Sequence, residues 1–231
     1  MSATPVIGQW SHDQYLEQVL AFHGHTAPGV VIGGYMVEAA RRALPEGVLF
    51  DAVSETVQCL PDAIQLLTPC TIGNGWLRVY NLGIFALTLY DKHTGKGVRV
   101  KLDAELLRAY PDVRSWFLKE KPKKEQDSDA IARQIREGGF NMLSSAPVQI
   151  HPDILARQGK GPVTRCPDCG EYYPARFGDR CRLCQGNGPY EHWNKEVFSQ
   201  FETRGVANHT ARSERIFRSP RAVSFSGEKT P

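Results

Sequence analysis

Six cysteines and one His-Gly-His tripeptide hold most of the reactive chemistry in this sequence. Four of the cysteines form two pairs, Cys166-Pro167-Asp168-Cys169 and Cys181-Arg182-Leu183-Cys184, with a short spacer between them. That is the spacing of a four-thiolate zinc site. Four thiolates close a tetrahedral shell, so such a site is structural and stabilises a module too small to fold on its own core. A rubredoxin-type iron site uses similar ligands. Free thiols or two disulfides are the competing reading, and this spacing disfavours them. Cys59 and Cys70 lie elsewhere, each at the end of an expected element. His23 and His25 sit in Phe22-His23-Gly24-His25-Thr26-Ala27-Pro28-Gly29, where one helical pattern ends and the next begins. They present two imidazoles as metal ligands or as an acid/base pair. Together, His23, His25, Cys59 and Cys70 suit zinc, nickel or iron better than magnesium or calcium. Asp62, three residues after Cys59, joins His23 as a candidate catalytic group, acting as a base or by orienting a ligand. The competing reading makes one histidine a helix cap, the other a surface residue, and each lone cysteine a small buried hydrophobe.

The elements that must position these groups follow from caps and periodicity. Ser11 is an N-cap, followed by an apolar face of Tyr15, Leu16, Val19, Leu20 and Phe22. Pro28 opens a second helix that continues to Leu44, before Pro45 and Gly47. Gly33 and Gly34 lower its propensity and point to close packing, with a tight oligomer contact as one use. Phe50 to Gln58 reads as a strand, and Cys59-Leu60-Pro61-Asp62 as the junction to a short helix ending near Thr68-Pro69. Cys70 to Gly75 is a polar glycine loop. Trp76 to Asn81, Ile84 to Tyr90 and Gly97 to Leu102 read as an antiparallel meander. Asp103 caps a helix carrying Leu106, Leu107, Tyr110 and, past Pro111, Trp116 and Phe117. Lys119 to Asp129 is a charged, exposed link, followed by a helix from Ala130 to Glu137 and an edge strand from Ala146 to His151. The prediction is an α+β fold, helices packed on an antiparallel sheet, with a small C-terminal zinc-binding module. Residues 1–157 form the core and 158–195 the module, entered through a hinge at Gln158 to Pro162. Residues 196–231 are a tail, extended or packed on a partner subunit.

Composition narrows the function classes. A chain of 231 residues supports one good core and a small appendage. With 41% hydrophobic and 23% charged residues it reads as an ordinary globular protein. A formal net charge of +3 is too weak to argue for nucleic acid or membrane. Near the paired cysteines, Arg165, Arg176, Arg180 and Arg182 are interspersed with Asp168, Glu171 and Asp179, which is not a basic stripe. There is no run of about 18 apolar residues, so no transmembrane helix is expected. Met1 to Pro5 lacks the pattern of a secretory signal, and cysteines grouped for metal imply a reducing cytoplasm.

Several motifs in one order carry a family resemblance. Phe22-His23-Gly24-His25-x-x-Pro28-Gly29 is followed by Cys59-x-x-Asp62-Ala63-Ile64-Gln65. Thr68-x-Cys70-Thr71-x-Gly73-x-Gly75 and Thr94-Gly95-Lys96-Gly97-Val98-Arg99-Val100 come next. Over Tyr15 to His151 the chain resembles the FmdE family, named after formylmethanofuran dehydrogenase, whose members often carry a C-terminal treble-clef zinc finger. The resemblance implies an α+β core, commonly dimeric, with a metal-binding cleft lined by the His-Gly-His joint and the two cysteine loops. It also implies association with a molybdenum or tungsten enzyme. Three positions depart from the family pattern: Ala27 replaces a common cysteine, Pro69 a glycine, and Asn74 a frequent lysine. Ala27 cannot ligate, so a second transition metal in the core cleft would have fewer protein ligands. Three functions follow as expectations: redox or metal-assisted chemistry on a small molecule, an accessory or docking role, and a zinc-finger regulatory adaptor.

Overall fold

In the computed structural model of the protein, which describes residues 6–156, 159 and 161–191, Ser11 starts the first helix through a reciprocal cap. Its Oγ accepts from the Gln14 N–H at 3.3 Å, and Gln14 Oε1 accepts from the Ser11 N–H at 2.9 Å. A small hairpin, β1 (Val6–Ile7) and β2 (Trp10–Ser11), precedes it. Helix α1 (His12–His23) ends at Gly24, whose φ of 87° lets its N–H return to Leu20 O. Helix α2 (Pro28–Ala43) then enters the core and is buried on most of its surface. Gly33 and Gly34 permit that. A Cβ on Gly33 would lie 2.7 Å from Ala63 Cβ, and one on Gly34 would lie 2.4 Å from the Tyr15 ring. Both glycines therefore serve close packing within the chain, against α3 and α1, and not the oligomer contact raised as one use of them.

The sheet runs β4-β3-β5-β6-β7. Strand β3 (Phe50–Ser54) leads through Cys59 into α3 (Leu60–Leu67) and then β4 (Leu77–Val79). Strands β5 (Ala86–Asp91), β6 (Lys96–Leu102) and β7 (Leu143–Gln149) complete it. All pairings are antiparallel except β3 with β4, where Ala52 faces Leu77 in parallel. This corrects the expected meander. A helix between two strands returns the chain in the same direction, so β4 lies parallel to β3 on one side. Residues 80–85 then cross the end of β3, with the Tyr80 N–H on Ser54 O and the Leu82 N–H on Glu55 O, and deliver β5 to its other side.

Past β6 a 3₁₀ turn (Leu106–Ala109) leads into α4 (Pro111–Leu118). A second 3₁₀ turn (Lys123–Glu125) precedes α5 (Ser128–Gly138), which Asp127 caps through the Ala130 N–H at 2.9 Å. The short helix α6 (Pro152–Leu155) follows β7. The core sits where α2 meets α3, β5, β6 and α5. By contacts the chain divides into two units, Met1–Arg157 and Gln158–Pro231. In the second, β8 (Val163–Arg165) pairs antiparallel with β9 (Tyr172–Pro174), ahead of a helical turn at Leu183–Asn187. The tail expected from residue 196 lies outside the described residues, as do Gln158 and Lys160 of the hinge. Among the described residues no helix is long and apolar enough to cross a membrane.

Candidate functional site

The turn between β8 and β9 is a thiol knuckle. The Gly170 N–H reaches Cys166 O at 2.9 Å and the Cys166 N–H reaches Glu171 O at 2.8 Å, with Gly170 at a φ of 78°. Cys181 and Cys184 enter at the start of the Leu183–Asn187 turn, with the Cys184 N–H 3.4 Å from Cys181 Sγ. Arg180 pairs with Asp168 at 3.1 Å and ties the two cysteine pairs together. The four sulfurs lie within 4.8 Å of one another, and Cys169 and Cys181 are 3.7 Å apart. A zinc tetrathiolate has sulfur–sulfur edges of about 3.8 Å. None of the four is in a disulfide. Burial opposes ionisation of Cys166, but backbone N–H groups of Cys181, Cys169 and Asp168 outweigh it and bring the thiol to about 6. Cys184 is pushed the other way, to about 12, by burial and then by the sulfurs of Cys169, Cys181 and Cys166. Four thiols so close release all their protons only to a cation that compensates the charge, which is what a structural zinc supplies.

The core unit gathers a second set of groups at the ends of α1 and α3. His23 Nδ1 is 2.6 Å from Asp62 Oδ2, which fixes the last residue of α1 against the first turn of α3. With Nδ1 engaged, Nε2 is the atom left for a proton or a metal. The His25 ring lies 4.7 Å from that of His23, centre to centre. Cys59, just before α3, has φ 60° and ψ −53°. The Leu60 N–H bonds to Gln58 O at 2.6 Å across it, which makes a γ-turn with positive φ. A side chain in that conformation costs of order 1–3 kcal/mol. Gly29 of α2 packs directly on it, since a Cβ at 29 would lie 2.7 Å from Cys59 Sγ. Burial, and then the Asp62 charge, push the Cys59 thiol up, while Lys119 pulls it down.

His25, Ala27 and Cys59 line one wall of a cleft of about 800 Å³. Phe85, Trp116 and Phe117 line another, and Lys119, Lys121 and Lys123 stand along its rim. The loop carrying Cys59 is clamped from the sheet. Glu55 is buried and takes both Arg99 Nε (2.6 Å) and a terminal guanidinium nitrogen (2.7 Å) in a bidentate pair.

Cys70 does not join this cleft. It is fully buried, its thiol donates to Phe50 O at 3.5 Å, and burial pushes it up to about 11 against a hydrogen bond with Thr68. Cys59 precedes α3 and Cys70 follows it, and a helix of eight residues is about 12 Å long. The expected convergence of four ligands is thus reduced to the histidine pair, Cys59 and Asp62 at one end of that helix. Among the described residues, the four paired cysteines are the one group of three or more His, Cys, Asp or Glu gathered for a metal. The Arg99–Glu55 clamp and the Trp116–Lys123 wall were not singled out from the sequence. The available signal was two aromatics followed by lysines at alternate positions.

Fold and site define an α+β domain followed by a treble-clef zinc finger. Residues 22–151 match the family described as "FmdE, Molybdenum formylmethanofuran dehydrogenase operon", and residues 157–191 match the "FmdE treble clef zinc finger". The chain belongs to the FmdE family. It is 49% identical to a tungsten formylmethanofuran dehydrogenase FmdE-like protein from Syntrophus aciditrophicus. That crystal structure matches with a TM-score of 0.75 over 81% of this chain and 99% of its own. It is also 31% identical, over 188 residues and 72% of its length, to a probable S-adenosyl-L-methionine-binding protein from Archaeoglobus fulgidus. The chain spans about half the length of that curated relative, 51%.

Proposed function

We propose that the cleft beside His23-Gly24-His25 binds a transition metal and supports redox or metal-assisted chemistry on a small molecule. His25 and Cys59, which line the cleft, are its ligands, and His23, oriented by Asp62 and outside that lining, is a proton carrier. The observation that supports this reading is the 2.6 Å His23–Asp62 contact beside a cysteine in a strained turn. A carboxylate on one ring nitrogen fixes the tautomer and strengthens the other as a donor. Strain kept at a reactive side chain accords with a functional position. The bound metal would supply Lewis acidity, with solvent completing the shell, since Ala27 offers no donor. Metal analysis of the full chain tests the reading. Two metals per chain are expected, falling to one in His25→Ala/Cys59→Ala. One metal in both proteins would refute it.

The family description and the name of the solved relative support a second role, docking on or delivering metal or cofactor to a molybdenum or tungsten enzyme, and we propose that the chain does so in the cytoplasm as a homodimer. Co-purification with formylmethanofuran dehydrogenase, and sedimentation as a dimer at micromolar concentration, are the expected results. A monomer that ignores the enzyme would remove this role.

A further inference from the structure

We infer that the cleft takes a small planar ring system bearing a carboxylate or phosphate. The inference rests on the reading of this cleft as the functional site and adds the class of ligand. Its volume of about 800 Å³ is that of a small-molecule site. One wall is aromatic. Phe85 and Phe117 meet edge to face with centres 6.1 Å apart, and Trp116 lies beside them, its ring centre 6.4 Å from that of Phe117. Trp116 and Phe117 are only half-buried, so ring surface remains open to the cleft. A flat, conjugated guest covers such a surface by stacking.

The charge around that wall has one sign. Lys119, Lys121 and Lys123 line the rim, and no Asp or Glu does. Of the nearby carboxylates, Glu120 pairs with Arg114 at 2.6 Å, Glu55 with Arg99 and Asp62 with His23, while Glu125, on the same turn as Lys123, is exposed and outside the lining. Lys119 sits 5.3 Å above the Trp116 ring, and neither Lys121 nor Lys123 has an ion-pair partner among the described residues. The backbone sets this alternation. Lys119 caps α4 in the left-handed region (φ 58°) and turns the chain back along the cleft. Gln126 then holds the returning segment by donating to Lys121 O at 3.0 Å. An anion attached to a ring stacked on Trp116 and Phe117 meets those ammonium groups at the rim. Exposed lysines contribute a factor of roughly two to five each, so three of them discriminate by about tenfold or more.

Calorimetric titration of the full chain with 2-naphthoate, 2-naphthyl phosphate and neutral 2-naphthalenemethanol tests this. Both anions should bind at least tenfold more tightly than the alcohol. Lys119→Gln/Lys121→Gln/Lys123→Gln should weaken the anions about tenfold and the alcohol far less, and lower the melting temperature by no more than the loss of the one exposed Lys119–Trp116 contact. Trp116→Leu should weaken all three probes. Equal binding of alcohol and anions, unchanged affinity in the lysine variant, or no binding of any probe at millimolar concentration would overturn the inference. The same titrations on His25→Ala/Cys59→Ala separate the two proposals. Anion preference that persists while metal content never changes removes only the metal reading. Lost preference in the lysine variant with normal metal content supports both proposals together.

Discussion

Alanine at position 29 probes the contact between α2 and the Cys59 turn. A Cβ there would lie 2.7 Å from Cys59 Sγ and 2.8 Å from Cys59 Cβ, but 3.6 Å from the Phe85 ring. Only the first two separations fall inside van der Waals contact. Overpacking of this kind costs about 1–3 kcal/mol, offset by at most about 1 kcal/mol of helix propensity gained over glycine. Gly29→Ala alone should therefore destabilise the core by up to about 3 kcal/mol. Cys59→Gly removes both obstructing atoms, and glycine accepts a φ of 60° without a Cβ penalty. The strain released, about 1–3 kcal/mol, is opposed by the lost packing of a half-buried thiol and by roughly 0.5–1 kcal/mol of added chain entropy. Cys59→Gly should thus be close to neutral. On that background Gly29→Ala should be neutral or stabilising, which gives a coupling of about 1–3 kcal/mol. Urea unfolding of the four full-length proteins, each loaded with one zinc per chain at the four-cysteine site and with no metal added for the cleft, measures it. If Gly29→Ala costs the same with and without the Cys59 side chain, the two positions are not in the contact described, and that account of the cleft floor fails.

The other predictions address the remaining supports. Cys181→Ser should lower zinc by one equivalent per chain and open residues 161–191 to protease while the core unit melts unchanged; full metal content and full resistance would contradict the tetrathiolate. Gly34→Ala drives a Cβ to 2.4 Å from the Tyr15 ring, whose hydroxyl is fixed on Val30 O at 3.0 Å, so it should cost about 3 kcal/mol in urea unfolding and a cost near zero would refute that packing. Arg99→Lys cannot span both Glu55 oxygens and should lose about 1–3 kcal/mol, with a matching loss of metal or probe binding in the cleft. His12 should give the core an acid-sensitive component. Burial, then the Arg136 charge, hold its imidazole below the ordinary 6.5, against a smaller opposing effect of Asp13, and it bonds to the Tyr35 hydroxyl at 2.7 Å. The unfolded imidazole takes its proton first, so stability falls as pH drops below about 6.5 and stops falling once the native group protonates. His12→Gln should flatten that slope between about pH 7 and 5, and an unchanged slope would place its origin elsewhere.

What was legible in the sequence is what local chemistry decides. Ser11, Gly24, Pro28 and Pro61 mark helix ends because capping and proline geometry depend on neighbours a few residues away. The two Cys-x-x-Cys pairs are equally local, and a hairpin with a turn brings them together. The order of the sheet is not local. Asn81-Leu82-Gly83 looks like a hairpin turn, yet the Leu82 N–H goes to Glu55 O because the end of β3 offers a free carbonyl there. Cys70 fails for a related reason: its distance from Cys59 depends on a helix that the motif spacing does not measure. The aromatic wall shows the deepest gap. Trp116 and Phe117 read as the core face of a helix, and Lys119 to Asp129 as a solvated link. Periodicity reports which side chains leave water, and a ring turned toward protein has the same spacing as a ring turned toward a ligand. What separates the two cases is a neighbour across the gap. Here the nearest wall holds His25, Ala27 and Cys59 instead of closing over the rings, and the lysines that looked like solvated charge border the opening. Cavities therefore become visible only when elements distant in sequence, here the start of α2, the loop between β3 and α3, and α4, are placed around a volume that none of them fills.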